Sequence, residues 1–161
     1  MADRDGEFRA FVETNGAVLL HAARLITGDH HRGEDLLQAT LIKLYLRWPR
    51  VSEPLAYARK ALVTGHIDTT RRRWFTERPV GSVPEVAAVH HAAGTDERDE
   101  LRRLLATLTP RERALVVLRY YCDLSERQAA AELGLPVGTV KSTTARALAR
   151  LRVQAEEGVS R

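Results

Sequence analysis

The sequence predicts an all-α protein of two small helical domains, residues 1–78 and 98–161, joined by a flexible linker over residues 79–97. Apolar residues recur at helical spacing through most of the chain, and no stretch shows the two-residue alternation of a strand. Residues 79–97 break this pattern, because they contain two Pro, two Gly and three acidic residues but no Lys or Arg. The formal charge changes there too, from +3 in residues 1–78 to −3 in the linker and +4 in residues 98–161.

Composition limits the class of protein. The chain has 161 residues, a formal net charge of +4 and a sequence pI near 9.6, and Arg far outnumbers Lys. Planar guanidinium groups suit phosphates, so this basic, Arg-rich composition is compatible with nucleic-acid binding. The single cysteine, Cys122, excludes an internal disulfide and offers no metal framework. No stretch approaches the roughly 20 apolar residues that span a bilayer, and the start lacks the apolar core of a signal peptide, so we expect a cytoplasmic protein without membrane insertion.

Three helices are predicted in the first domain. The first covers residues 3–27 and ends at Gly28, after which Asp29 is well placed to cap the next helix. That second helix covers residues 30–48 and stops before a proline; its apolar and aromatic residues at helical spacing are Leu36, Leu37, Leu41, Leu44 and Tyr45. The third runs from Leu55 to about Thr76, and it ends in a cluster of cations and aromatics: Arg71, Arg72, Arg73, Trp74 and Phe75.

The second domain is predicted to open with a helix over residues 98–108. Thr109, Pro110 and Glu112 then supply a capping hydroxyl, a proline at the first helical position and an acid at the third. A helix therefore begins there, and it should end near Asp123.

Two further helices and a tight turn complete the chain, from Leu124 to Leu151. Ser125 with Gln128 three residues later forms a capping box, so a helix should start there. Gly134 lies where this helix must stop, because the residue past a helix end often has a positive φ. Pro136 suits the first turn of the next helix, since its missing N–H has no intrahelical partner there.

The spacing of this region is that of a helix-turn-helix. Ala130, Gly134 and Val140 follow its rhythm of a small residue, a glycine four positions later and a valine six further on. The outer face of the last helix is predicted to carry hydroxyls near its start and guanidinium groups further along: Thr139, Ser142, Thr143, Arg146 and Arg150. Such groups pair with base edges and phosphates, which favours DNA binding. The alternative is a helical hairpin with a solvated basic face, and the spacing favours the first interpretation.

With both domains in place, the chain resembles a bacterial sigma factor of the extracytoplasmic function (ECF) group, of the short SigE-family type. The resemblance spans nearly the whole chain. It lies in GEDLLQATLIKLYLRWPRV and YARKALVTGHIDTTRRRW in the first domain, and in LTPRERALVVLRYYCDLSERQAAAELG and VGTVKSTTARALARLR in the second. The order of these segments around such a linker strengthens the resemblance. It implies a subunit that binds core RNA polymerase and directs promoter-specific initiation.

The resemblance also implies partners and roles for individual residues. Asp35 and Gln38 match the surface that meets the clamp helices of the polymerase β′ subunit. The resemblance implies three further partners: the β flap, promoter DNA and an anti-sigma factor. The residues matching the part that recognises and melts the −10 element are Trp48, Tyr57, Thr64, Arg71, Arg72 and Arg73. Those matching the helix that recognises the −35 element are Thr139, Lys141, Ser142, Thr143 and Arg146, and Arg150 extends this set along the same helix. At Thr64 the family often has Asn, so the base preference there cannot be copied from relatives.

Three other interpretations were weighed. Two pairs of adjacent histidines, at 30–31 and 90–91, suggest a metal site, but no third ligand is placed by spacing, so we expect no metal and no cofactor. A small hydrolase with a helical core lacks a nucleophile motif or a phosphate loop, so we expect no catalytic residues and no enzyme. A free-standing DNA-binding regulator using only residues 98–161 stays open, and polymerase binding by residues 30–48 would distinguish it from a sigma factor.

Overall fold

The structure is a computed structural model, and it describes residues 3–76 and 96–160. Within these ranges there are no strands and the chain forms seven α-helices: α1 (Arg4–Thr27), α2 (His30–Arg47), α3 (Pro54–Thr76), α4 (Asp96–Ala106), α5 (Pro110–Val116), α6 (Glu126–Leu133) and α7 (Val137–Val159). A 3₁₀ turn (Trp48–Arg50) follows α2, and a π-helical segment (Val117–Tyr121) continues α5. Most of the predicted linker lies outside the described residues, and α4 begins at Asp96, two residues before the predicted start of that helix at residue 98.

The helix boundaries of residues 3–76, which we call the first half, follow local capping chemistry. Gly28 has a φ of 74°, and its N–H bonds to the carbonyl of Arg24, so it ends α1 as predicted. The Asp29 carboxylate accepts the N–H of Arg32 at 2.8 Å and caps α2, which is also as predicted.

In residues 96–160, the second half, the predicted caps are found as well. Ser125 and Gln128 form the reciprocal capping box of α6, and Gly134 ends that helix with a φ of 65°. Pro136 differs by one position, since it precedes α7 as its N-cap residue instead of occupying the first turn. Asp123 has a φ of 58° and turns the chain from the π-helical segment towards α6.

The core forms where the apolar faces of these helices meet. In the first half α1, α2 and α3 pack together, and the buried residues include Leu19, Ile26, Leu44 and Leu62. In the second half α5 and α6 both pack on α7. Ala129 and Ala130 are buried on α6, where their small side chains allow the two helices of the helix-turn-helix to pack closely. No helix in residues 3–76 or 96–160 is long and apolar enough to cross a bilayer.

The two halves are in direct contact. Helix α3 packs against α5 and α6, and α1 packs against α5 and the π-helical segment. The buried apolar residues of both halves belong to one cluster. We call this contact region the seam. The sequence predicted two domains on a tether, but nothing in it predicted that they would pack together.

Candidate nucleic-acid interface

The outer face of α7 is the first candidate surface. Lys141, Ser142 and Arg146 are exposed on it, and Thr139 is half-buried one turn earlier. The Ser142 hydroxyl donates to the Thr139 carbonyl at 3.2 Å, and Lys141 lies 4.0 Å from the carboxylate of Glu126. This face therefore presents two cations and a hydroxyl on the second helix of the helix-turn-helix, where a duplex groove can be contacted.

Thr143 does not belong to that face, and its predicted position was wrong. Its exposed fraction is 3%, and it lies on the buried stripe of α7 with Val140, Thr144 and Ala147. The reason is helical geometry, because Thr143 is three residues after Val140 and four before Ala147. A hydroxyl in that position contributes to packing on the rest of the second half and not to groove contact.

Arg150 has an intramolecular partner that the sequence did not indicate. Its guanidinium lies 3.1 Å from the carboxylate of Glu112, whose side chain is only 7% exposed. Burying a carboxylate without a counter-charge is costly, so this pair stabilises the junction of α5 and α7. Arg150 is half-exposed, and we expect its main role to be in this pair.

The second candidate surface runs along α2. Asp35 and Gln38 are exposed, as predicted, and so are Ile42 (61%) and Leu46 (70%). These four residues share one face at helical spacing, whereas Leu37 and Leu44 point into the core. Ile42 and Leu46 were not identified from the sequence, although their four-residue spacing off the core stripe could have indicated them.

The third candidate surface follows the end of α2. Tyr57 is half-buried and lines a concavity of about 540 Å³ together with Arg47, Arg50, Val51, Ser52 and Glu53. Trp48 lies nearby but packs inward, because its ring contacts Phe8 edge-on at 5.3 Å and Phe11 at 5.5 Å. The structure thus separates the two aromatics that the resemblance had grouped. Tyr57 lines an open concavity, and Trp48 anchors the turn to α1.

The remaining predicted residues lie along α3. Thr64 is exposed, and its hydroxyl donates to the Lys60 carbonyl of its own helix at 2.9 Å. Arg71 and Arg72 are exposed near the end of the helix, and the side chain of Arg73 is outside the described residues. The sets predicted for the two promoter elements lie in different halves of the chain.

Several residues of the seam were missed by the sequence interpretation. Arg59 on α3 binds Glu132 on α6 through both nitrogens that face it, with distances of 2.5 to 3.2 Å, and both side chains are largely buried. This bond to a carboxylate raises the pKa of Arg59. The two residues are 73 positions apart, so no spacing pattern could have paired them.

No group of three or more His, Cys, Asp or Glu side chains in the described residues is arranged to hold a metal ion. The helix-turn-helix with its cationic outer face is that of a DNA-binding protein. Comparison with known proteins identifies the family. Residues 98–151 match the model described as "Sigma-70, region 4".

Relatives and a solved structure match more of the chain. The RNA polymerase sigma-E factor of Streptomyces avermitilis is 35% identical over 153 residues, covering 93% of this chain and 86% of the relative. The ECF RNA polymerase sigma factor SigL of Mycobacterium tuberculosis is 32% identical over 162 residues, with coverage of 95% and 92%. In fold the chain is similar to the sigma factor RpoE in its complex with the anti-sigma factor NepR from Bartonella quintana (TM-score 0.75, 24% identity, coverage 93% and 97%).

The chain belongs to the ECF group of RNA polymerase sigma factors, the subunits that direct promoter-specific initiation of transcription.

Proposed function

We propose that residues 98–161 recognise the −35 promoter element through the outer face of α7. The observation that carries this is the exposure of Lys141, Ser142 and Arg146 on the second helix of the helix-turn-helix. Arg can bind a guanine edge or a phosphate through two parallel bonds, and Lys supplies a point charge to a phosphate. Thr143 is not part of this proposal, and Arg150 contributes at most its exposed edge, because it pairs with Glu112.

Residues 1–78 are proposed to bind core polymerase and open the −10 element. The α2 face of Asp35, Gln38, Ile42 and Leu46 combines polar groups with exposed apolar side chains, which is how a helix meets a partner helix. The clamp helices of β′ are the partner expected there, and the β flap is expected to meet the second half.

Melting is assigned to the concavity around Tyr57. An aromatic ring at the edge of a cavity, with Arg47 and Arg50 beside it, can hold an unstacked base and its phosphate. Stacking of this kind is worth about 1–3 kcal/mol per base. Thr64, Arg71 and Arg72 extend the surface along α3, and these cations, with Arg73 next in sequence, are expected to contact the phosphates of the separated strand.

Three broader expectations complete the proposal. Catalysis belongs to the polymerase, so this chain acts as a specificity subunit without an active site of its own. It works in the cytoplasm, where polymerase is found. An anti-sigma factor is a further partner, because the fold of the chain is that of a sigma factor solved with one.

The test is transcription by core polymerase reconstituted with the purified chain and its variants. Lys141→Ala and Arg146→Ala should each reduce transcription from a responsive promoter found by run-off on genomic DNA. A residue that binds a base should lose about 1–3 kcal/mol and relax one promoter position, and a phosphate contact should flatten the salt dependence by about one unit.

Arg103→Ala is the matched control, since Arg103 is an exposed cation on α4, outside the helix-turn-helix. Unchanged promoter preference and salt dependence in both α7 variants would remove α7 from the groove. Tight, sequence-specific binding to DNA by the chain without polymerase would favour the free-standing regulator instead.

A further inference from the structure

The seam contains the buried ion pair Arg59–Glu132. It also brings Arg102 and Arg113 of the second half against neutral groups of the first. Arg113 shows this arrangement most directly. Its guanidinium donates to the carbonyls of Leu105 at 3.0 Å and Ile26 at 3.2 Å, which joins α5 to the end of α1. It also packs against Gly28, where an added side chain would meet it at 3.3 Å.

His30 makes the contact that fixes a protonation state. Its Nε2 lies 3.0 Å from a guanidinium nitrogen of Arg102 on α4. A guanidinium has only donors, so Nε2 must be the acceptor and the imidazole must be neutral, with its proton on Nδ1. A protonated His30 would place two N–H groups against each other and lose this bond between the halves.

The other charges around His30 do not reverse this argument. Arg24 on α1 adds a second cation, while Glu34 on α2 and Asp29 before α2 are the facing acids. Arg24 is itself bound to Glu34 at 2.9 Å, which offsets that acid. Partial burial and the two arginines lower the pKa of His30, against the opposing effect of the two acids.

Two more histidines of the first half have lowered pKa values, with arginines of the second half among the causes. His66 on α3 is half-buried, and burial followed by the charges of Arg113 and Arg32 lowers its pKa to about 4. His21 on α1 packs its ring 4.8 Å from the ring of Tyr121 at the edge of the seam. Burial and then the cations Arg98, Arg24 and Arg102 lower its pKa as well.

We propose that the packing of the two halves is a proton-sensitive latch, in which uptake of a proton by His30 separates the halves while each remains folded. His21 at the edge of the seam and His66 act in the same direction. The docked form binds fewer protons than the separated form, in which the His30 imidazole faces water. Docking is therefore complete above the ordinary histidine pKa of about 6.5 and weakens as the pH falls below it.

The expected size follows from proton linkage. A histidine that is neutral in the docked form and free in the separated form reduces the docking constant by about tenfold between pH 7.5 and pH 5.5. The Arg59–Glu132 pair contains no histidine, so it is not itself the proposed sensor.

Separation matters for the proposed function, on which this consequence rests. The −35 and −10 elements are about 25 base pairs apart by their labels, which is roughly 80 Å of duplex. In the docked form α3 and α6 touch through Arg59 and Glu132, so the two halves cannot occupy both elements at once. Docking is thus a resting state, and lower pH would increase the population of the separated form.

Small-angle X-ray scattering of the full chain at pH 7.5, 6.5 and 5.5 tests the latch without polymerase or DNA, so its outcome does not depend on the proposed function. A compact chain of 161 residues has a radius of gyration of about 15 Å. Wild type should give that value at pH 7.5 and a larger one at pH 5.5, with an unchanged far-ultraviolet circular dichroism spectrum.

Substitutions distinguish the effect of histidine protonation from a general effect of charge on the radius of gyration. His30→Gln with His66→Gln should stay compact at pH 5.5, because Gln offers an acceptor and does not titrate. His31→Gln is the control, because the His31 imidazole is exposed. This variant should expand at pH 5.5 as wild type does. Arg102→Gln should respond less than wild type, because an amide can donate or accept as His30 requires.

Three results would each overturn the latch. The first is a radius of gyration that does not change with pH, and the second is an equal expansion of wild type and the double histidine variant. The third is an expansion accompanied by loss of helical signal, which would mean unfolding of a half and not separation of two folded halves.

Discussion

At the scale of single residues, α7 shows how one step around a helix changes a role. Thr143 and Thr144 are both buried, while Ser142 and Arg146 on the same helix are exposed. Near-identical hydroxyl side chains can therefore face a duplex or a core within two positions. Whether a hydroxyl on α7 is buried or exposed depends on which side of the helix packs against the rest of the second half.

Thr144→Val should stabilise the protein. The Thr144 hydroxyl is buried without a hydrogen-bond partner among the described residues, which costs about 1 kcal/mol or more. Valine has the same shape without the polar atom, so we expect a rise in melting temperature of about 2–4 °C by calorimetry. Ser142→Ala, on the exposed face, is the control and should leave the melting temperature unchanged. A lower melting temperature for Thr144→Val would show that the hydroxyl has a partner.

Replacing Trp48 and Tyr57 by alanine should have different effects, the first on stability and the second on promoter opening. Trp48→Ala removes ring contacts to Phe8 and Phe11 and should lower the free energy of unfolding by about 2–3 kcal/mol. Tyr57→Ala should cost less stability than Trp48→Ala, because its ring lines an open concavity. It should impair promoter opening, and a pre-melted bubble should restore transcription. Denaturant unfolding and permanganate footprinting measure the two effects. Normal opening by Tyr57→Ala would place the melting site elsewhere.

At the scale of helices, α2 and α7 each have an exposed face, whereas α3 is in contact with the other half. The exposed face of α2 and that of α7 are available to partners, whereas α3 is shared between its own half and the seam. Arg59 on α3 and Tyr57 two residues earlier illustrate this: one binds the second half, and the other lines an open concavity.

The α2 face is tested by two paired substitutions, Asp35→Ala with Gln38→Ala and Ile42→Ala with Leu46→Ala. Each pair should weaken association with core polymerase by about tenfold, equivalent to ~1.4 kcal/mol, without unfolding the chain, because all four side chains are exposed. Fluorescence titration of labelled protein with core enzyme measures the affinity. Glu13→Ala, an exposed residue of α1, serves as the control. Wild-type affinity in both paired variants would exclude this face.

The contact between α3 and α6 is tested by a double-mutant cycle on Arg59 and Glu132. Arg59→Met or Glu132→Leu alone leaves the other charge in the seam, while the double variant replaces both by apolar groups. We expect the two changes to be coupled by about 1–3 kcal/mol in the free energy of unfolding. Arg127→Ala, an exposed cation on α6, should cost little. Purely additive effects would mean that the pair does not hold the halves together.

At the scale of the whole molecule, two halves with formal charges of +3 (residues 3–76) and +1 (residues 96–160) pack together despite their like charge. The Arg59–Glu132 pair, the Arg113 bonds and the shared apolar cluster offset this repulsion. A seam of this composition is compatible with opening, because much of it depends on polar groups that water can also satisfy.

Energy transfer between dyes on the two halves should fall when the chain joins core polymerase on a promoter. Cysteines at the exposed positions Glu13 and Arg152, in a Cys122→Ala background, place one dye on each half. The free chain should give high transfer, because a compact protein of this length has a radius of gyration of about 15 Å. Core enzyme without promoter is the intermediate case. Equal transfer in the free chain and the transcribing complex would mean that the docked form is not a resting state.

What the sequence determined by itself is the set of helices and their ends. Asp29, the Ser125–Gln128 capping box, and Gly28 and Gly134 act on backbone groups within a few residues, so their effects could be predicted without the fold. The helix-turn-helix and the exposure of Asp35 and Gln38 followed from periodicity in the same way.

Tertiary structure decided what depends on contacts between distant parts of the chain. Neither the pairing of Arg150 with a carboxylate 38 positions earlier nor the bond of Arg102 to an imidazole 72 positions away carries a local signal. Local spacing fixes which side of a helix a residue occupies, but it cannot say which neighbour covers that side. Long-range packing alone set the seam and the protonation state of His30 within it.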